Sequence, residues 1–316
     1  MKNLFFSAAC VLPAGLVPLM AQAQNNLTTV QQVGDNNQAL DYQTGDQNKI
    51  SVRQTGYSNT AGAAQAGTLN TASQTQTGYT YTAGSLQSGS RNSVTQTQSQ
   101  LGPWTYGQAT AVQIGNRNTI SQTQDGIANV AASQNGNSNE ATQRQRGRVL
   151  TATIQQTGNN NMATQDQLGS GQEAYLTSTG NRNTSLQKQR DLGQRATGTQ
   201  TGNDNSLLQN QSSDGNVAVA TQVGNRNTAE QQQGRNIGQA TIEQNGNNNR
   251  AYQTQSGPFT YQNKAYIDQD NDQGLAIQQQ TGIRNTAATY QGGFNESSTV
   301  VQNGWDNNTV VKQNHP

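Results

Sequence analysis

Residues 32–65 read QVGDNNQALDY, QTGDQNKISVR, QTGYSNTAGAA and then Q again. Laid one above another, the three rows carry Gln32, Gln43 and Gln54 in the first position and Gly34, Gly45 and Gly56 in the third. Asn37, Asn48 and Asn59 fill the sixth, and Ala39, Ile50 and Ala61 the eighth. The pattern Gln-x-Gly-x-x-Asn-x-Ala-x-x-x-Gln then continues to Gln313, and each closing Gln opens the next row. There are 25 such rows, and all but the one at Ser178 open with Gln. One row is shortened, Gln124 to Gln134, and two are lengthened, Gln98 to Gln113 and Gln255 to Gln269; the others keep an 11-residue step. A fixed period means one small unit stacked many times. It also argues against catalysis, because an active site needs unique residues at unique points.

An 11-residue period also suits a right-handed helical coil. Glycine in nearly every row excludes that reading, since each one inside a helix costs about 1 kcal/mol. Gly-x-x-Asn is turn chemistry, because Gly and Asn tolerate positive φ. The rest of each row alternates. Asn118, Ile120, Gln122 and Gln124 share one face, and Arg117, Thr119, Ser121 and Thr123 the other. The first set recurs as Asn161, Ala163, Gln165, Gln167 and as Asn227, Ala229, Gln231, Gln233. Period-two alternation predicts strands. The Thr-, Ser- and Arg-rich face suits solvent.

From about residue 113 the rows come in two kinds. The row opening at Gln200 keeps the full motif, whereas the row opening at Gln211 blurs it, and such blurred rows put Ala or Ile, as at Ala196, Ala218, Ala220, Ala240 and Ile242, where others have Gln. The unit is therefore about 22 residues, two unlike strands and two unlike turns, with a phase slip near Gln255 to Gln280. The fold class expected is all-β: stacked strand–turn–strand repeats, a β-solenoid or cross-β stack of about 12 rungs. The expected ladder residues are Gln32, Asn37, Gln43, Asn48, Gln54 and Asn59 near one end and Gln156, Asn161 and Gln167 in the middle. Gln222, Asn227 and Gln233 follow, then Gln302, Asn307 and Gln313 at the far end. Turn glycines are expected at Gly34, Gly45, Gly56, Gly115, Gly158, Gly202, Gly224, Gly282 and Gly304.

Lys2, an apolar run from Leu4 to Met20 and Ala21-Gln22-Ala23 form a secretory signal with a cleavage site before Gln24. The organisation expected is a cleaved segment 1–23, a short leader 24–31, repeats over 32–313 and a tail 314–316. Cys10, the one cysteine, falls in the signal, so the exported fold is held without disulfides. The signal removes one of 18 basic residues and none of 17 acidic ones, leaving no net formal charge. Nothing in that balance calls for nucleic acid. Hydrophobic residues are 30% and aromatics 5%, a composition that without periodicity reads as disordered. Gln and Asn ladders between rungs, with small Ala residues between sheets, supply the alternative to an oily core.

The repeated Gln-x-Gly-x-x-Asn-x-Ala-x-x-x-Gln resembles the curlin repeat of curli subunits, the extracellular functional amyloid of bacterial biofilms. The likeness covers residues 32–313. It implies a secreted structural subunit of a cell-surface fibre (a fimbrium-like homopolymer serving matrix, adhesion and cell aggregation) that grows by strand addition. It implies as partners further copies of the chain, a nucleator subunit, and an outer-membrane secretion pore with accessory chaperones. The chain departs from a typical curlin in carrying more units and in the short leader Gln24 to Gln31. Ala substitution of Gln32, Asn37, Gln43, Gln302, Asn307 or Gln313 is expected to slow nucleation more than at Gln156, Asn161 or Gln167. Rival readings are a minor nucleator of such fibres and a soluble solenoid binding ice, carbohydrate or another surface. The outer face mixes Thr, Arg, Ser, Lys and Leu, which fits poorly with a regular ice-binding Thr array.

The long rows contain related inserts, Gly102-Pro103-Trp104-Thr105-Tyr106 and Gly257-Pro258-Phe259-Thr260-Tyr261, expected to bulge because Pro cannot donate to a ladder. Asp35, Asp46, Asp125, Asp204, Asp214 and Asp306 sit in turns, and Arg117, Arg182, Arg226 and Arg284 precede turn Asn residues, as for cross-rung charge pairs. Asp268, Asp270, Asp272 and Gly274 resemble a calcium loop, but the Gly is one residue late and Gln279 stands in place of the closing Glu. His315 is the only histidine. Neither a catalytic residue, a cofactor nor a metal site is expected.

Overall fold

The structure, a computed structural model, describes residues 25–99, 106–234, 237–257 and 261–315. The expected signal segment and the Pro-containing cores of both inserts lie outside these residues. Each row forms one extended arm and one corner. Twenty-four strands, β1 to β24 in chain order, pair in parallel with the arm one full turn away. Thus β1 (Leu27–Val33) lies on β3 (Lys49–Tyr57) with Gln32 opposite Gln54. β2 (Gln38–Asp46) lies on β4 (Thr60–Thr68) with Gln43 opposite Gln65.

Alternate arms build two parallel stacks whose inner faces meet. β9 (Thr119–Asn137) and β10 (Glu140–Asn159) run unbroken round a corner, so each carries two arms and both stacks join in one sheet. The result is a β-solenoid of about 13 turns. Leu27 to Gln31, read above as leader, open β1 and so add one arm, half a turn, to the 25 rows.

Burial follows the alternation in sequence. Ala163, Gln165 and Gln167 point inward from the first stack, and Ala152, Ile154 and Gln156 from the second. The two kinds of row are therefore the two walls of the solenoid. The first wall has Gln at two of its three inner positions, and the second has small or aliphatic residues at two. Val94, Ile120, Ile154, Leu176, Leu207, Ile242 and Ile267 make the apolar part of one continuous core with the intervening Ala residues. Chain ends differ, as β1 and β24 (Asn308–Gln313) have no fully buried residue.

The unequal rows do not break the register. The long row still sets Gln244 opposite Gln269 and Gln255 opposite Gln280. What slips there is the corner that bears the inner Asn. One corner carries it from Asn48 to Asn249; the other has it at Asn37, Asn59 and Asn216 and then carries it on from Asn263 to Asn307.

The corners correct one expectation. Positive φ falls on the glycine and on the residue before the Asn, not on the Asn itself. Gly158 has φ 112° and Asn160 57°, and Gly224 has 113° and Arg226 56°. Asn161 and Asn227 are buried to within 1% of full enclosure. Their amides are used for hydrogen bonding from rung to rung, so the backbone reversal is left to their neighbours. A Cβ on Gly158 would overlap the Gly180 carbonyl oxygen of the next turn and stand 2.8 Å from its carbon. Glycine is required here by close approach as well as by φ.

Candidate functional site

The repeated side chains form ladders that run the length of the solenoid. In the first stack Gln32 Nε2 donates to Gln54 Oε1 at 2.7 Å and Gln54 Nε2 to Gln76 Oε1 at 2.8 Å. Gln167 and Gln233 belong to the continuation, donating to Gln189 and Gln255 at 2.8 and 3.0 Å. The second stack carries Gln43 to Gln65 at 2.9 Å and Gln222 to Gln244 at 2.9 Å. A buried amide is costly unless its donors and acceptor are matched. Here most Nε2 groups give one hydrogen to the next Gln and one to a backbone carbonyl. Gln222 gives its second to Ser206 O at 3.0 Å.

A third Gln ladder was not singled out in the sequence. It runs up the middle of the first wall from Gln74 to Gln278 and ties the two walls together. Gln165 Nε2 donates to Gln187 Oε1 at 2.9 Å and, across the core, to Thr153 O at 3.0 Å. Its signal was the pair of Gln residues two apart in each full row.

The expected Asn residues and turn glycines act as one device. Asn161 Nδ2 donates to Gly180 O at 2.8 Å, and Asn227 Nδ2 to Gly246 O at 2.9 Å. Asn161 Oδ1 in turn accepts the Asn183 amide at 3.0 Å. Asn48, Asn59, Asn37 and Asn285 bond Gly67, Gly78, Gly56 and Gly304 in the same way. A further exposed Asn ladder follows the glycines. The Asn159 amide donates to Asn181 Oδ1 at 3.1 Å and Asn181 to Asn203 at 3.1 Å. The Gly-Asn pairs at 22-residue spacing were its unread signal.

Two interruptions occur. The shortened row turns Gln124 Nε2 onto Ala128 O at 2.7 Å, so Gln145 Oε1 has no donor among the described residues. Ser178 replaces a ladder Gln, and its Oγ reaches only to Gln200 Oε1 at 3.2 Å.

Because every Gln bond runs from Nε2 to the Oε1 one turn later, the two ends of the solenoid are chemically opposite. At the first rung Gln32 Oε1 accepts from no described residue, and Gln43 Oε1 accepts from Thr28 Oγ1 at 3.0 Å. At the last rung, β23 (Ser297–Trp305) and β24, Gln302 Nε2 turns to Thr309 Oγ1 at 3.0 Å. β1 and β2 pair only with β3 and β4, and β23 and β24 only with β21 (Leu275–Ile283) and β22 (Thr286–Gln291). The other edge of each terminal strand offers its N–H and C=O groups unpaired among the described residues. The inner columns also change at the ends. The middle Gln column gives way to Val30 and Val52 at one end and to Val300 at the other.

Opposite those valines, Asp41 points inward in the second wall, where most other turns have Ala, Ile or Leu. Burial pushes its carboxyl up to about 6. The Ala63 N–H draws it partly back without making a hydrogen bond to either oxygen.

Charge pairing at the corners is realised at some of the expected positions. Arg182 and Asp204 pair across one turn at 2.7 Å, and Arg284 and Asp306 at 2.6 Å. The hydrogen bonds hold both carboxyls below the usual carboxylate range. Asp125 meets Arg146 at 3.6 Å, while Arg226 Nε bonds Asn248 Oδ1 at 2.7 Å. All are exposed or half-exposed and contribute little to stability.

The calcium-loop reading meets a different geometry. Asp272 Oδ1 accepts the Asn247 amide at 2.6 Å and its Nδ2 at 3.1 Å, which places it on the outer Asn ladder. Asp268 and Asp270 lie instead on the extended strand β20 (Lys264–Asp270). His315, the only histidine, comes within 3.4 Å of Asp268 and 3.5 Å of Asp270.

Residues 23–56 match the family model for the curlin associated repeat. No curated protein matches the chain. The motif recognised over those residues is the one that the following turns repeat.

Proposed function

We propose that this curlin-repeat chain is the structural subunit of an extracellular curli-like amyloid fibre. Copies add head to tail, so that β23 and β24 of one copy pair with β1 and β2 of the next. The observation carrying this reading is the match between the two open rungs. Gln302 and Gln313 end in donors, and Gln32 and Gln43 begin with acceptors. Laid in register, Val300 meets Val30 and Ser298 meets Thr28. Most proteins blunt such edges; here two strands at each end have one edge unpaired among the described residues. Strand addition then supplies main-chain bonds, and the ladders supply register.

The reading places the chain outside the cell, exported behind the segment 1–23, in a fibre serving biofilm matrix and adhesion. A nucleating subunit, a secretion pore and chaperones are the partners proposed. The role is structural rather than catalytic. The test is dilution of residues 24–316 out of denaturant at neutral pH, followed by thioflavin T and fibre diffraction. A lag shortened by seeds, with a meridional reflection at about 4.7–4.8 Å, is expected. A β-rich monomer that never seeds would overturn the proposal in favour of a finished, surface-binding solenoid.

A further inference from the structure

The segment after β24 folds back along the solenoid. Asn314 takes φ 43°, and its Nδ2 donates to Glu296 Oε1 at 2.6 Å. Glu296 Oε2 accepts the Gly293 amide at 3.0 Å, which fixes that carboxylate in place. The chain passes directly over Gly292, where a Cβ would overlap the Asn314 carbonyl oxygen and stand 2.9 Å from His315 Cα. Gly292 and Gly293 thus form a notch, and the notch delivers His315 to the outer face of the second wall.

There the imidazole packs on Tyr290, with ring centroids 5.4 Å apart. Its Nε2 lies 3.4 Å from Asp268 Oδ2 and 3.5 Å from Asp270 Oδ2, and the His315 side chain is only 14% exposed. All three donor atoms lie within 4.8 Å of one another. The two His–Asp separations are long for charge-assisted hydrogen bonds, which sit near 2.7–2.9 Å. They match the edge of a coordination tetrahedron. Ligands about 2.0–2.1 Å from a zinc ion stand roughly 3.3–3.4 Å apart.

The surroundings support a cation. Burial and the neighbouring Asp270 push the Asp268 carboxyl up. Nearby Glu243 adds a further negative charge and accepts the Tyr266 hydroxyl at 2.9 Å. The closest lysine in the same register row, Lys312, lies over the Tyr290 ring at 5.5 Å.

We propose that Asp268, Asp270 and His315 form a divalent-metal site, with Zn2+ its best match. Two carboxylate oxygens and one imidazole suit zinc, whereas calcium takes oxygen ligands only. The bound ion would clasp the segment after β24 to β20, two turns back along the second wall.

The test titrates Zn2+ alone into the freshly refolded, soluble full chain against a chromophoric chelator, with Ca2+ in parallel. The expected result is one Zn2+ per chain and no comparable uptake of Ca2+. His315→Ala and Asp268→Asn should each weaken binding at least about tenfold. Asp125→Asn, an acidic change elsewhere, should leave it unchanged. Gly292→Val keeps all three ligands but fills the notch, and should weaken binding as much as His315→Ala. Equal zinc affinity in wild type and His315→Ala, or no uptake by wild type, would show an Asp–His ion pair only and overturn the site. His315→Ala alters only the fold-back segment, so it decides the matter even where Gly292→Val folds poorly. Neither result depends on fibre growth.

Discussion

Gln165→Ala and Gln32→Ala remove the same side chain from the middle and from the end of the solenoid, and the two should separate folding from assembly. Gln165 is fully buried and takes part in three side-chain bonds, accepting from Gln143 and donating to Gln187 and Thr153 O. Its loss leaves one Gln143 hydrogen and the Gln187 oxygen unmatched in a closed interior. At about 1–3 kcal/mol for each orphaned group, the folded monomer loses roughly 2–6 kcal/mol. Gln32 is exposed and has one ladder bond, to Gln54. Its loss costs the monomer about 0.5–1.5 kcal/mol. In a head-to-tail fibre Gln32 becomes interior, and Gln302 of the adjoining copy, having left Thr309 Oγ1 to meet it, loses that partner as well. That adds about 1–3 kcal/mol to each junction, which raises the critical concentration roughly five- to 150-fold. Chemical denaturation of the soluble chain by circular dichroism gives the first quantity. The protein left in solution above mature fibres gives the second. A Gln32→Ala fibre as insoluble as wild type would refute head-to-tail ladder continuity. Equal denaturation midpoints for the two variants would refute the energetic account of the ladders.

Gly158→Ala should destabilise the fold by more than about 1–3 kcal/mol, the cost of a strained backbone conformation alone, because the new methyl meets the backbone of the next turn. Gly193→Ala, at φ 63° with nothing within 4 Å, should cost only about 1–2 kcal/mol; similar denaturation shifts for the two would count against close approach. For Asp41 the folded carboxyl is raised from 3.8 to about 6, so its stabilising protonation is complete below 3.8 and lost as pH rises through about 6. Denaturation midpoints of wild type should fall across that window, and those of Asp41→Asn should fall less; parallel curves would sink the assignment. Ala at Gln302 or Gln313 should lengthen the thioflavin lag more than Ala at Gln156 or Gln167 once concentrations are normalised to folded protein, and equal lags would contradict open-end recruitment.

The strands, their alternation and the two kinds of row were legible because one local pattern repeats. Each copy of Asn-x-Ala-x-Gln-x-Gln carries its own in-and-out order, and many copies outweigh the low hydrophobicity. The corners were half legible. Gly158 and Asn161 were found, but positive φ belonged to Asn160, because the buried Asn amide had a better use. Asp41 was not singled out, although the alternation Ala39, Asp41, Gln43 sets it on the inner face, where it pairs with Ala63. His315 was unreadable as a partner of Asp268. Their meeting depends on the course of a chain past Gly292, and periodicity carries no information about a segment that leaves the period.

The unlikeness of the two walls sets a rule for length. Removing 22 residues takes away one whole turn and brings Gln onto Gln and Ala onto Ala in both walls. Removing 11 would set the wall of paired Gln residues onto the wall of Ala and Ile at the cut, stranding amides among methyl groups at that rung in both walls. The molecule can therefore be shortened or extended only by whole turns. A turn added or removed in that way would change the reach of the solenoid while leaving both of its ends as they are.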